Sequence, residues 1–128
     1  MIITGKTKNL GIIGCPVEHS LSPVMQNAAL QELGLDYNYI AMPVLPENLG
    51  QAISGLKALG FCGINVTIPH KVNVIQYLDE IDQSARMVGA VNTIVISEEK
   101  LIGYNTDAGG YIKSLYNENV ELKGKEVV

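Results

Sequence analysis

Residues 10–68, LGIIGCPVEHSLSPVMQNAALQELGLDYNYIAMPVLPENLGQAISGLKALGFCGINVTI, decide the fold. Leu10 to Gly14 is a short apolar run ending in glycine, the pattern of a buried strand. Ser22-Pro23 then predicts a helix start, with Ser22 as N-cap and Pro23 at the first helical position. Met25, Ala28, Ala29 and Leu33 recur at helical spacing as its inner stripe, and Gly34 supplies a stop. Tyr37 to Met42 is rich in strand formers and ends at Pro43. Leu49, Ala52, Ile53 and Leu56 predict a second helix after Pro46, closing near Gly60. Phe61 to Ile68 is a third strand. Strand, helix, strand, helix, strand implies parallel pairing, right-handed crossovers and helices packed over a sheet.

Outward from this core the pattern loosens. Val72 to Leu78 predicts a helix, and Ser84 to Val88 a short helical turn. Val91 to Ile96 and Lys100 to Tyr104 read as strands joined by Ser97-Glu98-Glu99 into a hairpin. Asn105-Thr106-Asp107 offers helix-capping chemistry, and Ala108, Tyr111, Ile112 and Leu115 mark a last helix. Residues 117–126 are polar and link-like, and Val127-Val128 opens another strand. The predicted class is a three-layer α/β/α domain with a mixed, mostly parallel sheet. It occupies residues 1–116, with 117–128 as a linker into a second unit.

Composition narrows the function. Of 128 residues, 47% are apolar and 17% charged, which excludes disorder. The nine Lys and Arg form no basic block, and there is no Trp and one Phe. A phosphate-backbone footprint and base-stacking platforms are therefore not expected, and no nucleic-acid partner is assigned. No apolar run approaches the roughly 18 residues of a membrane span. Lys6 and Lys8 precede an apolar run, but Gly11, Gly14 and Pro16 interrupt it and Glu18-His19 follow, unlike a signal peptide. Cys15 and Cys62 sit in apolar runs with no metal-ligand spacing, and read as small buried hydrophobes of a cytoplasmic protein without a metal.

Four clusters carry polar groups that folding alone does not demand. Ser20 and Ser22 place two hydroxyls at a helix N-terminus, where an anion such as a carboxylate is favoured; the same geometry serves as a simple cap. Asn65 and Thr67 alternate with Val66 and Ile68 on one strand face, at the end where ligands bind open α/β sheets. Lys71 follows at a helix start, a poor place for a cation unless an anion meets it. His70 reads as a packing or loop residue. Asn92, in GAVNT, suits a turn entering a strand, and Asp107, in GYNTDAGG, suits a helix cap. Gly109-Gly110 makes sense where a ligand or another domain comes close.

Together GCPVEHSLSPVMQNAAL, GINVTIPHK, GAVNT and GYNTDAGG, in that order, resemble the shikimate dehydrogenase family along essentially the whole chain. The resemblance implies reduction of 3-dehydroshikimate to shikimate with NADPH, on the route to chorismate and the aromatic amino acids. It implies that Ser20 and Ser22 hold the shikimate carboxylate, and that Asn65, Thr67, Asn92 and Asp107 hold ring hydroxyls. Lys71 becomes the catalytic lysine, paired with Asp107 in a dyad. An ammonium beside a carbonyl can polarise it and donate the proton as hydride arrives at carbon. Gln83 stands where many relatives carry an acidic residue that approaches the cofactor, and is carried as a contact to test.

Family members add a Rossmann domain for NADP(H). GKEVV (124–128) resembles its opening strand, and no Gly-rich phosphate turn follows. The chain is therefore expected to be the substrate-binding and catalytic part of a longer enzyme, inactive alone, with NADP(H) bound mainly by the other domain. The unpaired edge at Val127-Val128 leaves a homodimer as the assembly to test. The alternatives are a quinate/shikimate dehydrogenase, which differs in cofactor and substrate range, and a non-catalytic module for small hydroxy-acids, which would not need the dyad.

Overall fold

The computed structural model describes residues 2–107. Its strands are β1 (Lys8–Gly14), β2 (Tyr37–Pro43), β3 (Gly63–Val66), β4 (Glu80–Ile81), β5 (Thr93–Ser97) and β6 (Lys100–Tyr104). The helices are α1 (Ser22–Glu32), α2 (Leu49–Ala58) and α3 (Gln83–Val88). One six-stranded sheet runs in the order β2-β1-β3-β5-β6-β4. β1 pairs in parallel with β2 and β3, as the crossovers require, while β5 is antiparallel to β3 and to β6. The expected mixed α/β sheet is present. The two-residue strand β4, parallel to β6, had no sequence signal because two residues carry no period.

Alternation along β1 separates two faces. Ile13 points to the same side as Ile64, Val66 and Ile94, where Leu49, Ile53 and Leu56 of α2 complete the buried core. Ile12 points to the other side, and its register partner is Asn65. That opposite face carries the polar chemistry.

α1 differs from its expected packing. Met25 and Leu33 are 62% and 70% exposed, and no residue of α1 is buried. Its inner side is instead Pro23, Gln26, Asn27 and Leu30, all half-buried. The reason is Asn27. Its amide donates to the Tyr39 carbonyl (2.8 Å) and accepts from the Tyr39 N–H (2.9 Å). β2 is an edge strand, so one side chain satisfies both main-chain groups and turns the helix accordingly.

Other boundaries moved for local reasons. Residues 72–78 form only a single 3₁₀ turn, Asn73–Tyr77, and not an α-helix. Leu78 is already extended, and the Lys71 carbonyl is taken by the Val91 N–H (2.8 Å). Gly34, Gly60 and Gly89 adopt positive φ where their helices end. The β5–β6 turn is made by Glu98 (φ 49°) and Glu99 (φ 65°), an unusual choice for left-handed positions. Cys15 and Cys62 are free and half-buried, not fully buried as expected. The expected last helix, Gly109-Gly110 and the linker lie outside the described residues.

Candidate active site

Lys71, Asn65 and Asp107 meet at the C-terminal ends of β1 and β3. They line a cleft of about 250 Å³ with Ser22, Thr67, Asn92, Thr106 and Ile12. Lys71 is carried by the segment after β3. Thr67 N–H donates to the Ile13 carbonyl (3.0 Å) and His70 N–H to the Thr67 carbonyl (3.0 Å), which holds this segment against β1. His70 is 1% exposed, with Nε2 2.7 Å from the Val44 carbonyl. A carbonyl only accepts, so Nε2 donates, and His70 ties the segment to the end of β2 as the packing reading expected.

The Lys71 ammonium lies 3.1 Å from Asp107 Oδ2. This is the anionic partner that a lysine at a helix start requires, and the one the motif resemblance implied. The side chains are 36% and 65% exposed, so the pair adds little to stability and leaves Nζ open toward a ligand. Asp107 follows Thr106 at the point where the chain turns helical. Thr106 is locked there by Asn92: its N–H donates to Asn92 Oδ1 (3.0 Å) and its Oγ1 accepts from Asn92 Nδ2 (2.9 Å). Asn92 is 8% exposed, and its main-chain carbonyl accepts from Val66 N–H (2.8 Å). The bland reading of Asn92 as a turn residue entering a strand is too small, because it braces both the β3 end and the dyad segment.

Asn65 is held at three points. Tyr39 Oη donates to its Oδ1 (2.7 Å), and its Nδ2 faces Thr93 Oγ1 (3.2 Å) and the Asn92 carbonyl (3.5 Å). Tyr39 is 4% exposed. Burial pushes its phenol up to about 12, against a smaller opposing pull from a hydrogen bond with Ser22.

Two expected residues fall elsewhere. Ser20 does not line the cleft; its Oγ accepts the Ser22 N–H (3.2 Å). Ser22 is the first residue of α1, so the cap-like contact comes from Ser20, and the Ser22 side chain, which meets Tyr39, lines the cleft. Gln83 stands exposed at the start of α3, away from the cleft. Tyr39, Thr93 and Thr106 were not foreseen as site residues. Thr106 could have been found inside its motif. Tyr39 could not, because only the register across β1 brings it to Asn65.

A larger cavity of about 610 Å³ lies against Cys15, Val44, Asn48 and Gln51. It holds no charged group, so volume and chemistry disagree, and the smaller cleft is the better catalytic candidate. Among the described residues no three His, Cys, Asp or Glu side chains gather as a metal site. No described helix is long and apolar enough to cross a membrane.

A mixed α/β sheet with a polar cleft at its strand ends and a lysine–aspartate pair at the rim defines an α/β domain with a small-ligand cleft. Residues 12–94 match the family model for the shikimate dehydrogenase substrate binding domain, and the chain belongs to that family. It is 55% identical over 127 residues to shikimate dehydrogenase (NADP(+)) of Methanocaldococcus jannaschii, covering 99% of this chain and 45% of that protein. A crystal structure of a shikimate dehydrogenase in complex with NADP+ superposes with a TM-score of 0.91 at 56% identity, covering 97% of this chain and 43% of that one. Shikimate 5-dehydrogenase from Listeria monocytogenes, in complex with shikimate and NAD, gives 0.91 at 42% identity, covering 98% and 43%. The chain thus spans under half the length of the relatives it matches.

Proposed function

We propose that this chain is the substrate-binding and catalytic part of an NADP(H)-dependent shikimate dehydrogenase. The reaction is the reduction of 3-dehydroshikimate to shikimate, serving chorismate and aromatic amino acid biosynthesis. The observation that carries the reading is the Lys71–Asp107 pair, 3.1 Å apart at a cleft whose walls are amides and hydroxyls. A polyhydroxylated ring needs many neutral hydrogen bonds and one charged acid–base group, and this cleft has that balance.

In this reading the Ser22 hydroxyl receives the substrate carboxylate, with Ser20 holding the turn. Asn65, Thr67, Asn92 and Asp107 meet the ring hydroxyls. The Lys71 ammonium polarises the ketone and gives its oxygen a proton from Nζ, while Asp107 Oδ2 keeps Nζ in line. NADPH supplies the hydride. The described glycines with positive φ, Gly34, Gly60 and Gly89, each end a helix and do not open one. We assign the dinucleotide to chain outside residues 2–107, with the substrate domain ending near residue 116.

The test is calorimetry of this chain with shikimate, set beside shikimate-dependent NADP+ reduction by the protein as its gene encodes it. Binding and reduction are expected. Absence of shikimate binding at millimolar concentration would overturn the reading.

A further inference from the structure

Asn65 and Asn92 sit side by side, and an asparagine can present either a carbonyl or an amide to a ligand. Their sense decides which ligand hydroxyls fit. The Asn92 main-chain carbonyl, an obligate acceptor, lies 3.5 Å from one side-chain atom of Asn65. That atom must be the amide nitrogen, since two acceptors would repel. Asn65 Oδ1 therefore faces Tyr39, whose hydroxyl must donate.

The same sense runs on through the cleft wall. Asn65 Nδ2 donates to Thr93 Oγ1 (3.2 Å), and the Thr93 hydroxyl donates to Asn92 Oδ1 (3.0 Å). Asn92 Oδ1 also takes the Thr106 N–H (3.0 Å), so both its lone pairs are used. Among the described residues Asn65 then keeps one free acceptor pair on Oδ1, and Asn92 one free proton on Nδ2.

We propose that Tyr39 is a positioning residue that, by donating to Oδ1, holds Asn65 in the amide sense dictated by the Asn92 carbonyl, so that the cleft offers an acceptor at Asn65 beside a donor at Asn92. Such a pair selects a ring hydroxyl that donates to one and accepts from the other. A ketone or ether oxygen at that ring position would leave Asn65 unpaired. The shape of the proposal rests on the shikimate reading above, but the orientation of Asn65 does not. Burial of Tyr39 keeps its phenol protonated, and so a donor, across any usable pH.

Tyr39→Phe tests this without changing shape. In the ligand-free chain, the Asn65 side-chain amide protons should be resolved and slow to exchange in the wild type. In Tyr39→Phe they should exchange faster. Unchanged exchange would overturn the positioning role of Tyr39 whether or not shikimate binds.

Calorimetry then compares shikimate with analogues in which one ring hydroxyl at a time is replaced by hydrogen. Tyr39→Phe should weaken shikimate about 2- to 12-fold. The penalty should vanish for the one analogue lacking the hydroxyl that donates to Asn65. An equal penalty for every ligand, or none for any, would overturn the proposal and leave Tyr39 a packing residue. Failure of the wild type to bind shikimate would overturn the functional reading instead. Thr93→Val cuts the same chain one link further on and gives the same comparison should Tyr39→Phe not fold.

Discussion

Lys71 and Asp107 illustrate how magnitude separates two roles. Exposed ion pairs are worth about 0–1 kcal/mol, whereas acid–base groups contribute about 10²–10⁴-fold in rate. Lys71→Ala should therefore change stability by less than about 1 kcal/mol while lowering kcat by about 10²–10⁴, with shikimate still bound. Near-normal turnover would remove Lys71 from the mechanism. Asp107→Ala combined with Lys71→Ala should lose less than the product of the single losses, because the two act as a unit. The serines divide in another way. A hydrogen bond to a charged group is worth about 1.5–3 kcal/mol, so Ser22→Ala should raise KM for shikimate by about tenfold or more. Ser20→Ala should raise it less, since Ser20 Oγ serves the Ser22 N–H and does not line the cleft. A larger effect at Ser20 would reverse the assignment. The sequence motif named both serines; it could not rank them, because their separation along a turn does not say which hydroxyl faces inward.

Short elements here depend on single side chains. The Asp82 carboxylate accepts the Ser84 hydroxyl (2.7 Å) and the Ser84 N–H (3.1 Å) at the start of α3. The same Ser84 Oγ accepts the Asn105 N–H (3.1 Å), which links α3 to the segment bearing Asp107. These bonds, the hydroxyl first, hold the Asp82 carboxyl below its usual value. A lowered folded pKa means the stabilisation is complete above the unfolded value of about 3.9 and fades as pH falls through the folded one. Asp82→Ala should lower Tm by a constant amount above about pH 5, and the gap should close below about pH 4. A gap that widens in acid would contradict the cap. The β5–β6 turn offers the opposite case. Glu98 and Glu99 hold left-handed backbone, at about 1–2 kcal/mol per residue. Glu98→Asn with Glu99→Gly should stabilise the chain by about 1–2 kcal/mol in urea unfolding; no gain would mean the hairpin does not hold that turn in solution. The hairpin itself was legible from its flanking strands, but β4 and the true inner face of α1 were not. A two-residue strand has no period, and the α1 stripe was outvoted by one asparagine pinning an open sheet edge.

Across the whole molecule, one sheet feeds two faces with different tasks. The α2 face is the dry core, with Ile13, Val74 and Val91 all at 0% exposure. The other face carries the polar wall of the cleft. On the reading proposed above, this domain binds its small ligand while holding no dinucleotide. The 128-residue chain should bind shikimate in the calorimeter and show no measurable affinity for NADP+. Appreciable NADP+ binding by this chain would mean that the division of labour proposed here is wrong.

What the sequence determined by itself was local. Alternating runs over residues 10–68 specified the α/β class, because hydrophobic period follows directly from strand and helix geometry. Ordered motifs named Ser22, Asn65, Thr67, Lys71, Asn92 and Asp107, and all six line the cleft. Only the tertiary structure decided the rest. It gave the Lys71–Asp107 dyad its 3.1 Å geometry, moved Ser20 to the turn, and brought Tyr39 to Asn65 across β1. Each of these depends on register and on which face a side chain takes, and both are set by packing between segments far apart in the chain.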